Sequence, residues 1–151
     1  LLMLKFEVNI TKALKKLEDI RDELLLYIDI QTAKKLEEYK QDLVSFVEEQ
    51  KGKWEPLTEK YAKYKREKGL DPRILISTGK YLASIKVKKI GPMKYSIVPE
   101  GNEELGQWLE FGTGRMPGRP HWSYIDTKIR YTLNNILTQL AKKEAQRLSK
   151  K

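Results

Sequence analysis

The chain has 151 residues, enough for one domain with a true hydrophobic core, and its 40% hydrophobic and 34% charged residues exclude a disordered composition. It has no Cys, which removes disulfides and thiolate metal sites, and its longest apolar run, Leu24-Leu25-Leu26-Tyr27-Ile28, is far shorter than the roughly 20 residues that cross a bilayer. A formal net charge of +9, from 30 basic and 21 acidic residues, bears on partners rather than on fold.

The opening Leu1-Leu2-Met3-Leu4-Lys5 lacks the basic-then-apolar layout of a signal peptide, so a cytoplasmic, soluble chain is expected. In residues 5–10, Phe6, Val8 and Ile10 alternate with Lys5, Glu7 and Asn9, the pattern of a short half-buried strand. Asn9 or Thr11 is placed to cap the helix that follows. Leu14, Leu17, Ile20, Leu24, Ile28, Leu36, Tyr39, Leu43 and Phe46 or Val47 recur at three- and four-residue steps. They predict an amphipathic helical region over residues 11–50, a rod about 60 Å long if unbroken. Residues 29–32 are the weakest part of the stripe, the place where it would divide into a helix pair.

Pro56 favours the opening of a third helix, with Tyr61 and Tyr64 along one side, and Gly69 closes it after a basic run suited to the negative C-terminal dipole. Residues 70–73 read as a turn, and residues 80–83 as a short helical turn. Ile85, Val87 and Ile90 mark one strand and residues 94–98 a second, with Gly91-Pro92 as the hairpin turn between them. Residues 103–111 form one short helix before a corner rich in Gly and Pro. A last helix runs over residues 123–149 on Ile125, Ile129, Leu133, Ile136 or Leu137, Leu140 and Leu148. The sum is an α+β fold: a small antiparallel β-sheet packed with a long N-terminal helix, or helix pair, and a C-terminal helix. It forms a single domain over residues 1–151. Residues 1–52 hold the strand and long helical region, residues 53–122 the helix, hairpin and corner, and residues 123–151 the terminal helix with its basic tail.

Excess positive charge gathers at residues 60–68, at Lys86, Lys88 and Lys89, and at Lys142, Lys143, Arg147, Lys150 and Lys151. Such charge serves solubility or faces a polyanion. Catalytic chemistry finds little support. His121 is the only histidine, a poor basis for a metal site or a nucleophilic triad, and neither a nucleophile elbow nor a phosphate-binding glycine motif occurs. No catalytic residue, cofactor or metal is expected, and the chain reads as a non-enzyme.

The most informative stretch runs from Trp108 to Trp122: two Trp, one Phe and two Arg within a corner built on Gly112, Gly114, Pro117, Gly118 and Pro120. Trp108, Phe111 and Trp122 have the bulk to anchor that corner on the sheet by core packing. Arg115 and Arg119 sit at proline bends, where exposure is expected, and an exposed Arg among aromatics is a common interface anchor.

Four segments stand in order: Trp54-Glu-Pro-Leu57, Thr78-Gly-Lys-Tyr-Leu-Ala-Ser-Ile85, Trp108-Leu-Glu-Phe-Gly-Thr113 and Met116-Pro-Gly-Arg-Pro120. From Trp54 onward the chain resembles the virion-morphogenesis, or tail-completion, proteins of tailed bacteriophages and prophages. It departs from their pattern at Gly118, where they usually carry Ala, and at His121-Trp122, where they often carry Phe-Leu. The resemblance implies a structural protein of the virion neck, located in the host cytoplasm during assembly. It implies a ring of copies of this chain, commonly six, between head–tail connector and tail-tube or tail-terminator proteins, with genomic DNA passing through the lumen without sequence specificity and no membrane partner. On that reading the corner contacts a neighbouring subunit through Trp108, Phe111, Arg115, Met116, Arg119 and Trp122, and Lys86, Lys88 and Lys89 face the lumen. Replacing Arg115 and Arg119 by Glu is then expected to block assembly and leave the monomer folded. The alternative is a small basic nucleic-acid-binding protein, with Tyr61, Tyr64, Tyr81 and Tyr95 scattered among lysines. A magnesium-dependent carboxylate nuclease is a third reading.

Overall fold

The computed structural model describes residues 11–151, so the strand expected at residues 5–10 lies outside the described residues. One helix, α1 (Thr11–Glu48), spans the predicted stripe without dividing. Its weak stretch is held by polar contacts instead of apolar ones. Thr32 Oγ1 donates to the Ile28 carbonyl at 2.7 Å, and Asp29 accepts from Lys89 Nζ at 2.5 Å and Tyr95 Oη at 2.7 Å. The dip in hydrophobicity marks a docking point rather than a break.

The next helix, α2 (Glu59–Glu67), starts after Pro56, because Thr58 supplies the capping hydroxyl and accepts from Tyr61 N at 3.3 Å. It closes at Gly69, whose φ of 64° is left-handed, with Leu70 N donating back to the Lys65 carbonyl. Lys65 does not join the solvated basic run. It is 2% exposed, and its Nζ donates to the carbonyls of Arg73 at 2.6 Å and Ile76 at 2.5 Å, pinning residues 70–79 onto α2.

A single turn, α3 (Lys80–Ala83), leads into the antiparallel hairpin of β1 (Ile85–Gly91) and β2 (Lys94–Pro99), in which Val87 pairs with Ile97. Gly91 ends the first strand after an irregularity following Lys89, and the turn is Pro92-Met93 rather than Gly91-Pro92, with Met93 at a φ of 55°. Then come α4 (Glu103–Phe111), the two-residue strands β3 (Gly112–Thr113) and β4 (Met116–Pro117), and α5 (Trp122–Ser149). The fold is α+β and mostly helical.

Helices α1 and α5 pack antiparallel, tied by Lys128 to Asp42 at 2.6 Å and by a hydrogen bond between Tyr39 and Thr132. The core joins Leu36, Tyr39, Leu43 and Val47 of α1 to Ile76, Leu82, Ile85 and Ile125. Each such aliphatic side chain contributes about 1.5–3 kcal/mol by leaving water. This core lies under the C-terminal half of α1. Toward the other end Leu17, placed in the buried stripe by its spacing, is exposed, as are Leu25, Leu26 and Ile30. On α5 the predicted stripe holds: Ile125 and Leu148 are buried, and Ile129 and Leu133 pack on the core. Among the described residues no helix is long and apolar enough to cross a membrane.

Candidate functional site

The corner between α4 and α5 is a miniature hairpin. Gly112 pairs with Pro117 and Thr113 with Met116, leaving Gly114-Arg115 as the turn. Two glycines make it possible. Gly112 has a φ of 82°, and a Cβ there would lie 2.5 Å from the Gly118 nitrogen; a Cβ on Gly118 would lie 2.7 Å from the Phe111 carbonyl carbon. Backbone meets backbone at both points, so any side chain forces the strands apart. Gly118 is therefore required by this chain's own geometry, although the resembled family usually carries Ala there.

What fixes the corner to the body is a buried polar network. The Glu110 carboxylate accepts from the backbone N–H groups of His121 at 2.7 Å, Trp122 at 2.9 Å and Ser123 at 3.1 Å, and so caps α5 from another helix. Its negative charge also meets the positive end of the α5 dipole. Burial pushes the Glu110 carboxyl up, but the three amides and the neighbouring imidazole outweigh it, and its pKa lies below the ordinary glutamate value.

His121 is wholly buried. Its Nδ1 lies 2.8 Å from the Arg119 carbonyl and its Nε2 2.8 Å from Tyr81 Oη. A carbonyl only accepts, so Nδ1 carries the proton and Nε2 accepts from the Tyr81 hydroxyl. Tyr81 in turn accepts from Trp122 Nε1 at 2.9 Å. The chain of donation runs one way, from Trp122 through Tyr81 and His121 to the Arg119 carbonyl, and satisfies a neutral imidazole. Burial lowers the His121 pKa, against the Arg119 carbonyl and the Glu110 charge, and burial lifts Tyr81 to about 12. Trp54 adds an outer clamp: its Nε1 donates to the Pro120 carbonyl at 2.8 Å, while its ring meets Phe46 edge-on at 5.6 Å.

The six residues expected at an interface divide. Phe111 is 81% exposed and Trp108 45% exposed, so neither anchors the corner by core packing. Both belong to α4. Arg115 is exposed at the hairpin turn, and Met116 is half-buried beside it. Trp122 is half-buried, packs against the core and is tied to Tyr81. Arg119 departs from expectation: it is 8% exposed, and its Nε and Nη2 face the Glu55 carbonyl at 3.4 Å. The flanking prolines do not push it outward, because the backbone on both sides is held inward: Arg119 N donates to the Leu109 carbonyl at 2.7 Å, and the Pro120 carbonyl accepts from Trp54. Replacing Arg119 by Glu would bury a carboxylate against a carbonyl, so the double Arg115 and Arg119 charge reversal is not a clean surface change.

Lys86, Lys88 and Lys89 are exposed on β1. Strand alternation puts the first two on one face and Lys89 on the other. Lys88 pairs with Glu100 and Lys89 with Asp29, so the three do not form one unbroken cationic stripe. Sequence reasoning missed Trp54, Tyr81, Glu110 and His121 as a unit. The available signal was that Trp54, Tyr81 and Glu110 each fall in one of the ordered motifs and that His121 directly follows the fourth, whose Arg119 and Pro120 carbonyls are acceptors in the network. Among the described residues no group of three or more His, Asp or Glu is arranged to hold a metal ion. Compared with models of protein families, with curated proteins and with solved structures, the chain finds no match.

Proposed function

We propose that the chain is a structural virion protein of a tailed bacteriophage or prophage, completing the head-proximal end of the tail and joining it to the DNA-filled head as a ring around the DNA channel. The observation that carries this reading is the aromatic corner. Phe111 and Trp108 stand in solvent at the end of α4, and Arg115 is exposed at the turn of the hairpin that follows, on backbone locked by Gly112, Gly118 and the Glu110 cap. Exposed large aromatics on a rigid mount are unfavourable in water and favourable once a partner covers them. A pre-organised mount also loses little entropy on docking.

A second support is convergence. The motif segments that carry the resemblance meet in one network: Trp54 reaches Pro120, Tyr81 reaches His121, and Glu110 caps α5. The first, third and fourth segments bond one another directly, through Trp54 to Pro120 and Arg119 N to the Leu109 carbonyl, and the second joins them through His121. A ring needs a head-to-tail contact between unlike surfaces whose rotation closes, and the corner supplies one such surface. The connector and tail-tube or tail-terminator proteins are the proposed neighbours, and the lumen passes DNA. The nucleic-acid-binding alternative gains no observation of its own from Lys88 and Lys89, which are already paired with carboxylates.

The test is electron microscopy of lysates from the source virus or prophage with this gene deleted. Filled heads separate from tails, rescued by supplying the chain, are expected. Intact infectious particles would remove the proposal.

A further inference from the structure

We propose that the cavity lined by α2, residues 75–79, α4 and the corner hairpin is a binding site for a carboxylate carried on an apolar body. The proposal concerns the chain by itself and does not depend on the virion reading.

The cavity has a volume of about 390 Å³, and its walls are largely apolar: Leu57, Leu75, Leu105, Leu109, Met116 and Pro117. Three cations line it as well, Lys65 of α2 with Arg115 and Arg119 of the corner, whereas among the described residues no Asp or Glu does. Arg115, Tyr61 and Ser77 are exposed, so the cavity opens to solvent past them.

Two of the cations lie inside the fold, Lys65 at 2% exposure and Arg119 at 8%. Neither is paired with a carboxylate among the described residues. The Lys65 ammonium has three donors and commits two, to the carbonyls of Arg73 and Ile76. The Arg119 guanidinium has five, and two of them share the single Glu55 carbonyl at 3.4 Å, well beyond the usual N–H···O distance of about 2.9 Å. The rest of its fork finds no acceptor among the described residues. Carbonyl dipoles leave both charges uncompensated, an expensive state for buried cations. Burial pulls the Lys65 pKa below the ordinary lysine value, against the pull of Asp71, and Arg119 adds its like charge. Asp71 does not answer that charge at the cavity, because Arg73 holds it at 2.7 Å.

The donors are also fixed in advance. Lys65 is held by its two carbonyls, and Arg119 by its own N–H on the Leu109 carbonyl at 2.7 Å and by the Trp54 clamp on Pro120. Groups already in place lose little freedom when a ligand arrives. The chemistry of that ligand follows from the lining. A guanidinium matches a carboxylate through paired, coplanar N–H···O bonds. Aliphatic walls gain only when an apolar body displaces water from them, so a bare inorganic anion answers half of the site. A small organic acid and an acidic side chain of a polypeptide both carry the required pair of groups.

Calorimetric titration of the full-length chain compares phenylacetate with its neutral counterpart phenylacetamide and with inorganic phosphate. Phenylacetate should bind about tenfold tighter than either, or more. A second pair, acetyl-Phe-Glu-amide against acetyl-Phe-Gln-amide, places the acid on a polypeptide. Preference for the Glu peptide assigns the site to an acidic side chain of a partner; preference confined to phenylacetate assigns it to a free acid. Equal affinities of acid and amide in both pairs overturn the proposal, as does tighter binding of phosphate. Arg119→Gln, where it folds, should abolish the preference. Ser77→Glu extends the test without touching a buried cation, because a carboxylate built into the rim competes for the same donors. It should weaken binding of the acid about tenfold relative to the isosteric Ser77→Gln. Equal binding by those two variants overturns the proposal.

Discussion

Glu110 holds three backbone donors with one buried carboxylate, so its removal leaves them without partners at the start of α5. Glu110→Ala is expected to cost about 3 kcal/mol, and Glu110→Gln, which keeps an acceptor but loses the charge, about half that. Urea unfolding of the two variants checks the order. His121 predicts an acid sensitivity whose sign follows from its depressed pKa. The folded chain resists protonation, so as pH falls below the ordinary histidine value of 6.5 the unfolded chain takes up the proton first. Stability present above pH 6.5 is then lost, by at most about 1.4 kcal/mol per pH unit. Glu110, also depressed, continues the loss below its ordinary value of 4.5. The chain has one His, so melting temperatures between pH 7 and 5 should fall for the native chain and fall less for His121→Gln. Residue type did not reveal which arginine lies inside. Arg115 and Arg119 both follow a glycine within the same corner, and only the position of Glu55 and Trp54 across the fold separates them.

At the scale of elements, periodicity located the helices and strands because each buries one face. It misread places where polar contacts do the packing. Residues 29–32 lack apolar stripe residues because Asp29 receives the hairpin through Lys89 and Tyr95. Asp29→Ala should therefore leave α1 helical by circular dichroism while speeding amide exchange in β1 and β2. Unchanged exchange in the hairpin would mean that the apolar contacts of Val87 and Ile97 dock it unaided. Lys65 shows the same limit: one cation of a basic run turns inward to satisfy two carbonyls, and no local pattern distinguishes it from its neighbours. The corner's glycines were legible as turn-makers. Their pairing was not, since the close approach of Gly112 and Gly118 depends on strands of two residues each.

For the whole molecule, the core sits under one half of α1, and what lies outside it is a set of surfaces: the aromatic corner, the groove between β2 and α5 and the exposed leucines of the N-terminal half. The sequence pointed to the corner through its concentration of aromatics and turn residues. Exposure of Trp108 and Phe111 was not legible there, because burial depends on which side of α4 meets the sheet. Among the sites expected at an interface, Phe111 and Arg115 are exposed and lie outside the buried network, so changing them should leave the fold intact, within about 0.5 kcal/mol. The most direct measurement is complementation of the gene deletion with Phe111→Glu combined with Arg115→Glu, scored by joined particles in the electron microscope. The account predicts a folded chain with native melting temperature and filled heads left apart from tails. Normal particle yield from that variant would contradict it.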